Sequence, residues 1–187
     1  MTSPLISFIN QIIIHYSGLN KSKWSKQVET MVGKGNKRLY MLRTLSKYGL
    51  TTGDLVLVYI GFVRPVLEYA CQVWHPGLTV AECKSIERVQ KRACRIILGQ
   101  NYTCYSSALT ELSLTSLSQR RHDLCSSYAR SLYRSPTYRD WFPPCRKEIT
   151  GRNTRSANKL QVPRANTSRL RKSPIYYMVS LLNDDIV

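Results

Sequence analysis

The sequence predicts an all-α protein built as a small helical bundle, with four to six helices between about residues 22 and 134. Three observations predict it. Apolar residues recur with a helical period rather than alternating, as they would on a strand. Helix-start chemistry precedes two of the periodic runs, at Thr51-Thr52-Gly53-Asp54 and at Thr79-Val80-Ala81-Glu82. Glycines follow two of them, Gly49 and Gly99, where a helix can stop.

Residues 1–16 are an apolar opening without a clear pattern, broken by Gly18-Leu19-Asn20. From residue 22 to residue 48, Trp24, Val28, Met31, Leu39, Leu42 and Leu45 gather on one side of a helix, with Lys26, Lys34, Lys37, Arg38, Arg43 and Lys47 between them. Gly33 and Gly35 weaken that helix, each costing about 1 kcal/mol relative to Ala. After the Thr51 cap, residues 55–63 carry no charge, which predicts a central buried helix. Its β-branched content leaves a strand open for residues 55–60, and Pro65 should kink any helix there. His75-Pro76-Gly77 reads as a turn.

The best-defined helix starts at the Thr79/Glu82 capping box and ends at Gly99. Ile86, Val89, Ala93, Ile96 and Ile97 fall on one face, and Lys84, Arg88, Lys91, Arg92 and Arg95 on the other. Further helical patterns cover residues 106–112 and 116–134. Beyond Trp141-Phe142-Pro143-Pro144 the composition changes. Basic residues interleave with Ser, Thr and Asn, so residues 145–187 are expected to form a flexible, largely disordered basic tail, with residues 175–182 as an apolar patch able to dock back.

The charge balance is the feature with functional content. Twenty-eight Lys and Arg against eleven Asp and Glu give a net charge of +17 and a pI near 9.9. That excess favours a polyanionic partner, nucleic acid before anionic membrane, because phosphate contacts release condensed counterions. The six cysteines form no CxxC pair and the three histidines no His-x₃₋₅-His pair, so neither a zinc site nor a disulfide framework is expected. Residues 5–14 lack a basic leader and are too short to span a bilayer, and residues 55–63 are also too few. The expectation is an intracellular protein, nuclear or cytoplasmic, with reduced thiols and no membrane partner. The sequence carries no signal for its oligomeric state.

Three stretches in order, residues 24–50 (WSKQVETMVGKGNKRLYMLRTLSKYGL), 57–78 (LVYIGFVRPVLEYACQVWHPGL) and 85–98 (SIERVQKRACRIIL), resemble the region downstream of the polymerase palm in non-LTR retrotransposon reverse transcriptases, which are RNA-directed DNA polymerases. Residues 108–125 (ALTELSLTSLSQRRHDLC) and 141–144 (WFPP) look like its continuation, so the resemblance covers roughly residues 19 to 144. It implies a thumb-like bundle that grips the backbone of a primer–template duplex or RNA–DNA hybrid. It also divides the chain into a divergent segment (1–18), a thumb-like region (19–100), a post-thumb helical region (101–144) and the basic tail (145–187). In the family a palm with a Phe/Tyr-x-Asp-Asp turn precedes this region, and nothing ahead of it here is long enough to hold one. The expectation is therefore a truncated or decayed copy, catalytically inactive on its own and with no cofactor, since Mg²⁺ would belong to the palm. Gly33 and Gly35, where better helix formers are expected, fit that reading. The alternative is a host-used or decayed basic helical nucleic-acid-binding protein with no polymerase role.

The residues expected to meet phosphate are Lys34, Lys37, Arg38, Arg43, Lys84, Arg88, Lys91, Arg92, Arg95, Arg120 and Arg121, with His122 on the same wet basic face. Within them Lys84, Arg88, Lys91 and Arg95 line up at i, i+4, i+7 spacing. Glu87 and Lys91 are read as an ordinary i,i+4 pair, and Arg64 and Glu68 as a structural one. Tyr102 and Tyr105 could stack bases, with packing at least as good a reading. Asp184-Asp185 imitates a metal-binding carboxylate pair, but follows the thumb instead of preceding it and has Leu182 where an aromatic would stand; it is read as a terminal acidic cap.

Overall fold

The computed structural model describes residues 22–185. The apolar opening and the divergent segment 1–18 lie outside them. The described residues are helical, with one isolated antiparallel bridge, Cys145 to Leu160, and no strand. They form two compact units, residues 22–71 with 78–122 and residues 72–77 with 123–185.

The first unit begins with α1 (Ser22–Lys47). Its buried residues Val28, Met31, Leu39 and Leu42 are spaced for one face, as the periodicity predicts. A helical run then passes without a break through α2 (Thr52–Val58), a π-helical turn (Tyr59–Val63) and α3 (Arg64–Glu68). Thr51 caps it as expected, its hydroxyl accepting from the Asp54 amide at 3.2 Å. The strand alternative is not formed.

Pro65 has no N–H and its ring crowds the carbonyl four residues back, so an uninterrupted α-helix cannot accept it. The π turn just before it widens the helix and takes up the misfit. The run ends instead at Tyr69 and Ala70, where Ala70 takes a positive φ of 51°. It is buried on one side only. Leu55, Tyr59, Val63, Leu67 and Cys71 face the core, whereas Leu57 and Tyr69 are well exposed. The expected central buried helix is therefore present, with its buried residues along one side. By length and composition alone, Thr52–Gly77 is long and apolar enough to cross a membrane.

After α4 (Cys71–Trp74) and the His75–Gly77 turn comes α5 (Val80–Leu98). Its Thr79/Glu82 capping box is complete, and Gly99 closes it with φ +53° and ψ −118°, a region only glycine occupies comfortably. α5 and α1 pack side by side in the same direction. Ser25 donates to Glu82 at 2.7 Å near their starts, and Ser46 donates to the Ile96 carbonyl at 3.4 Å near their ends. Gly35 lies where α1 crosses this packing. A Cβ there would stand 3.0 Å from Leu67 Cδ2 and 3.2 Å from Val89 Cγ1. The glycine thus admits a close approach that a Cβ would crowd, so it need not be a sign of decay. Nothing in the structure explains Gly33.

The unit closes with α6 (Tyr105–Glu111) and the start of α7 (Leu117–Arg134). One buried polar chain crosses it. The Tyr59 hydroxyl donates to Gln90 Oε1 at 2.7 Å, and Gln90 Nε2 donates to the Thr115 carbonyl at 2.8 Å. Each group of that chain is satisfied, so it fixes register without the penalty of a buried orphan. Burial pushes the Tyr59 hydroxyl far above its usual range, keeping it a donor.

The second unit contains residues 123–134 of α7, α8 (Arg146–Thr150), α9 (Ser168–Arg171) and α10 (Pro174–Asp184). Residues 145–185 therefore do not form the structureless tail that the composition implies. Ala129, Leu132 and Phe142 share a core with Leu160, Met178, Val179 and Leu182. Asn183 clasps Leu160 from both sides, accepting from its amide at 2.7 Å and donating to its carbonyl at 3.1 Å. The physical reason is burial: the apolar side of α10 completes a core, as the docking reading of residues 175–182 expects.

Candidate nucleic-acid interface

The site starts from the helical pitch of α5. Its buried residues, Ile86, Val89, Gln90, Ala93, Cys94 and Ile97, define one side. At about 100° per residue, Lys84, Arg88, Lys91 and Arg95 fall within an arc of roughly 60° diametrically opposite. All four are exposed. The same pitch sets Arg92 to the flank beside α1, where its guanidinium donates to Asn36 Oδ1 at 3.0 Å. Lys34, Lys37 and Arg43 of α1 are exposed as well.

Aromatic rings prop several of these cations. The Lys91 ammonium lies 5.0 Å from the Tyr105 ring centroid, and the Arg95 guanidinium 5.1 Å from that of Tyr102. Arg38 stands 4.4 Å over the Phe62 ring and donates to the Phe62 carbonyl. Such contacts are worth about 0.5–1 kcal/mol at exposed sites and restrict the long side chains without consuming their charge. Tyr105 packs rather than presenting itself to a base. Its hydroxyl donates to Glu87, and burial followed by that carboxylate holds it protonated well above its ordinary range.

Glu87 is not the i,i+4 partner of Lys91. Its carboxylate accepts from the Leu117 amide at 3.1 Å and the Ser118 amide at 3.2 Å, the first two of α7, while Ser116 Oγ accepts from Gln119 N at 3.1 Å. Those amides have no partner within their own helix, and a negative charge there also suits the helix dipole. Glu82 is likewise engaged, in its capping box and by Ser25. Glu68 takes Arg120 through two bonds, at 2.6 and 3.2 Å, with Arg64 at 3.9 Å. Three acids of the unit are thereby committed to internal donors, and among the described residues the ion pairs, Arg64 and Arg120 with Glu68 and Arg130 with Asp185, do not involve the α5 stripe.

Two expected phosphate contacts are corrected. Arg121 is fully buried, on the same side of α7 as Leu117 and Cys125, and cannot reach a bulky polyanion. Arg120 is half-buried and its charge is matched by Glu68. Adjacent helical residues point about 100° apart, so the pair never formed one wet face. His122 is exposed.

Among the described residues no group of three or more His, Cys, Asp or Glu is placed to hold a metal ion. Asp185 is tied to Arg130 by two bonds, at 2.7 and 2.9 Å, which raise the Arg130 pKa further. All six cysteines are free thiols. Burial pushes Cys94 up to about 11, whereas hydrogen bonds from Ser106 and then Ser107 bring the exposed Cys104 down to about 7. Sequence reasoning missed Asn36, Phe62 and Glu87, whose roles depend on partners 18 to 56 residues away. Compared with protein-family models, with curated proteins and with solved structures, the chain shows no match.

Proposed function

We propose that the first unit binds duplex nucleic acid or an RNA–DNA hybrid through its phosphates, as a thumb-like module of a non-LTR reverse transcriptase would, contributing grip rather than chemistry. The observation that carries the reading is the α5 stripe. Lys84, Arg88, Lys91 and Arg95 are exposed in a row on a rigid helix whose other side is core. Such a row can follow a phosphate backbone, and it carries no base-edge readout of its own, so binding should be indifferent to sequence. Arg92 on the flank of α5 and the exposed Lys37 and Arg43 of α1 add further cations to the unit. Arg120 and Arg121 take no part.

The test is the salt dependence of binding to a duplex and to a hybrid of the same length. Log K against log[salt] should slope at roughly −0.7 to −0.9 per phosphate neutralised. Changing Lys84, Arg88, Lys91 and Arg95 together to Gln should flatten the slope by about three. Stability should fall little, by about 1–2 kcal/mol at most, because two of the four lose a ring contact. An unchanged slope in the folded variant would sink the reading. Point substitution is the cleaner test, since deleting residues 146–187 would also strip the cover from Ala129, Leu132 and Phe142.

A further inference from the structure

Away from the α5 stripe, the second unit holds an open depression of about 450 Å³ lined by Arg146, Thr150, Arg152 and Thr154. Its shape follows from local chemistry. α8 is one short turn, and Gly151 ends it with φ +66°, the left-handed conformation that turns the chain back on itself. Residues 152–154 therefore pass beside the helix they have just left. The Lys147 amide donates to the Ala157 carbonyl at 2.9 Å and the Arg146 amide to the Lys159 carbonyl at 3.0 Å, which pins the far side of the loop to α8.

The donors around the depression are arranged for an anion. Arg146 Nη1 donates to Ser156 Oγ at 3.1 Å, which orients that guanidinium and leaves its other N–H groups for a ligand. Thr150 Oγ1 donates to the Arg146 carbonyl at 2.8 Å and accepts from the Arg152 amide at 3.4 Å, so it holds the two arginine-bearing segments together. No carboxylate lines the depression. The nearest acid in sequence, Glu148, is turned to the Cys145 amide at 3.3 Å as the cap of α8.

We propose that this depression is a phosphate-binding cradle, with Arg146 and Arg152 as the charged clamp and the Thr154 hydroxyl as a further donor. Two arginines line the same depression, and guanidinium N–H groups suit phosphate oxygens, which they can grip in pairs. The volume exceeds that of a phosphate alone and leaves room for an attached sugar. The cradle stands without the proposed function; only the source of the phosphate, a nucleic-acid strand, rests on that reading.

The experiment is a titration of the full chain followed by NMR of the arginine Nε–Hε groups, with inorganic phosphate as the first probe. Saturable shifts confined to Arg146 and Arg152 are expected, in the millimolar range that a small anion held by two arginines should show. Arg152→Gln should weaken binding, read at Arg146, by about fivefold or more, whereas Arg146 signals should respond normally in the Lys84/Arg88/Lys91/Arg95→Gln chain. Thr154→Val is the companion variant, expected to weaken binding without removing a charge. Backbone amides of Leu160 and Val179 report whether each variant keeps its core. A second pair of probes, one oligothymidine with and one without a 5′-phosphate, separates sources. Competition by both marks strand phosphates, competition by the phosphorylated one alone marks a terminal phosphate, and competition by neither marks a free small ligand. Shifts that stay linear to about 50 mM phosphate, spread over all exposed arginines, or saturate with unchanged affinity at Arg146 in Arg152→Gln would overturn the cradle. The α5 variant's salt slope can fail without touching this result, and the reverse also holds.

Discussion

Gly33 and Gly35 sit two positions apart on α1, yet replacing each by alanine should move stability in opposite directions. Either change gains about 0.8–1.0 kcal/mol of helix propensity, because glycine loses the most backbone freedom on entering a helix. At Gly33 nothing stands within 4 Å of the new methyl, so that gain is the whole effect. At Gly35 the methyl would sit 3.0 Å from Leu67 Cδ2 and 3.2 Å from Val89 Cγ1, where relaxed carbon contacts need about 3.5–4.0 Å. Both neighbours are fully buried, and valine has little freedom about χ1, so neither can retreat at low cost. Overpacking of this kind costs about 1–3 kcal/mol, leaving a net loss of about 1 kcal/mol. The two variants should therefore differ by about 2 kcal/mol. With a urea dependence of about 2 kcal/mol per molar, their unfolding midpoints should lie about 1 M apart, with the parent between them. If Gly35→Ala rose in step with Gly33→Ala, the close packing of α1 on Leu67 and Val89 would be wrong.

Glu87→Ala should cost about 2–4 kcal/mol in thermal or urea unfolding, because it strips acceptors from two α7 amides and the Tyr105 hydroxyl, whereas Lys91→Ala should cost under about 1 kcal/mol. Cys104 should be the fastest of the six thiols to alkylate. Its thiolate fraction should rise through half near pH 7 and flatten above pH 8, while Cys94, raised to about 11 and buried, should stay slow throughout; mass-spectrometric labelling against pH checks both. Chains ending at residue 145 should bind a hydrophobic dye and lose helix signal from α7, since Ala129, Leu132 and Phe142 lose their cover; a shortened chain with unchanged circular dichroism and no dye binding would argue that residues 146–185 are dispensable to that core.

The sequence spoke most clearly where one stretch of chain decides the outcome alone. The Thr79/Glu82 box, the Thr51 cap and the Gly99 stop are local chemistry, and each forms as its residues require. The two faces of α5 were legible for the same reason, since a regular pitch converts spacing into direction. Arg121 was also legible in principle. It falls on the i,i+4 series Leu117, Arg121, Cys125, Ala129, and these four are buried. Counting basic residues by adjacency instead of by pitch put it with Arg120 and His122 on a wet face. Other features could not be read from one stretch. Glu68 meets Arg120 across 52 residues, and Asn183 meets Leu160 across 23. Gly35 looked like a defect because its reason lies on two other helical segments. The basic segment after residue 145 hid its fold in another way. Arg, Ser, Thr and Asn dominate its composition, but Ala157, Leu160, Met178, Val179, Leu181 and Leu182 are sufficient to bury a core beside α7. Composition averages over residues, whereas burial depends on which few of them meet. That distinction bears on function as well. A net charge of +17 motivates the proposed polyanionic partner without saying where on the chain it would sit. Direction and pairing are what separate the exposed α5 stripe from Arg121, which is buried, and Arg120, which is matched by Glu68. That separation is the ground on which the proposed function names the stripe.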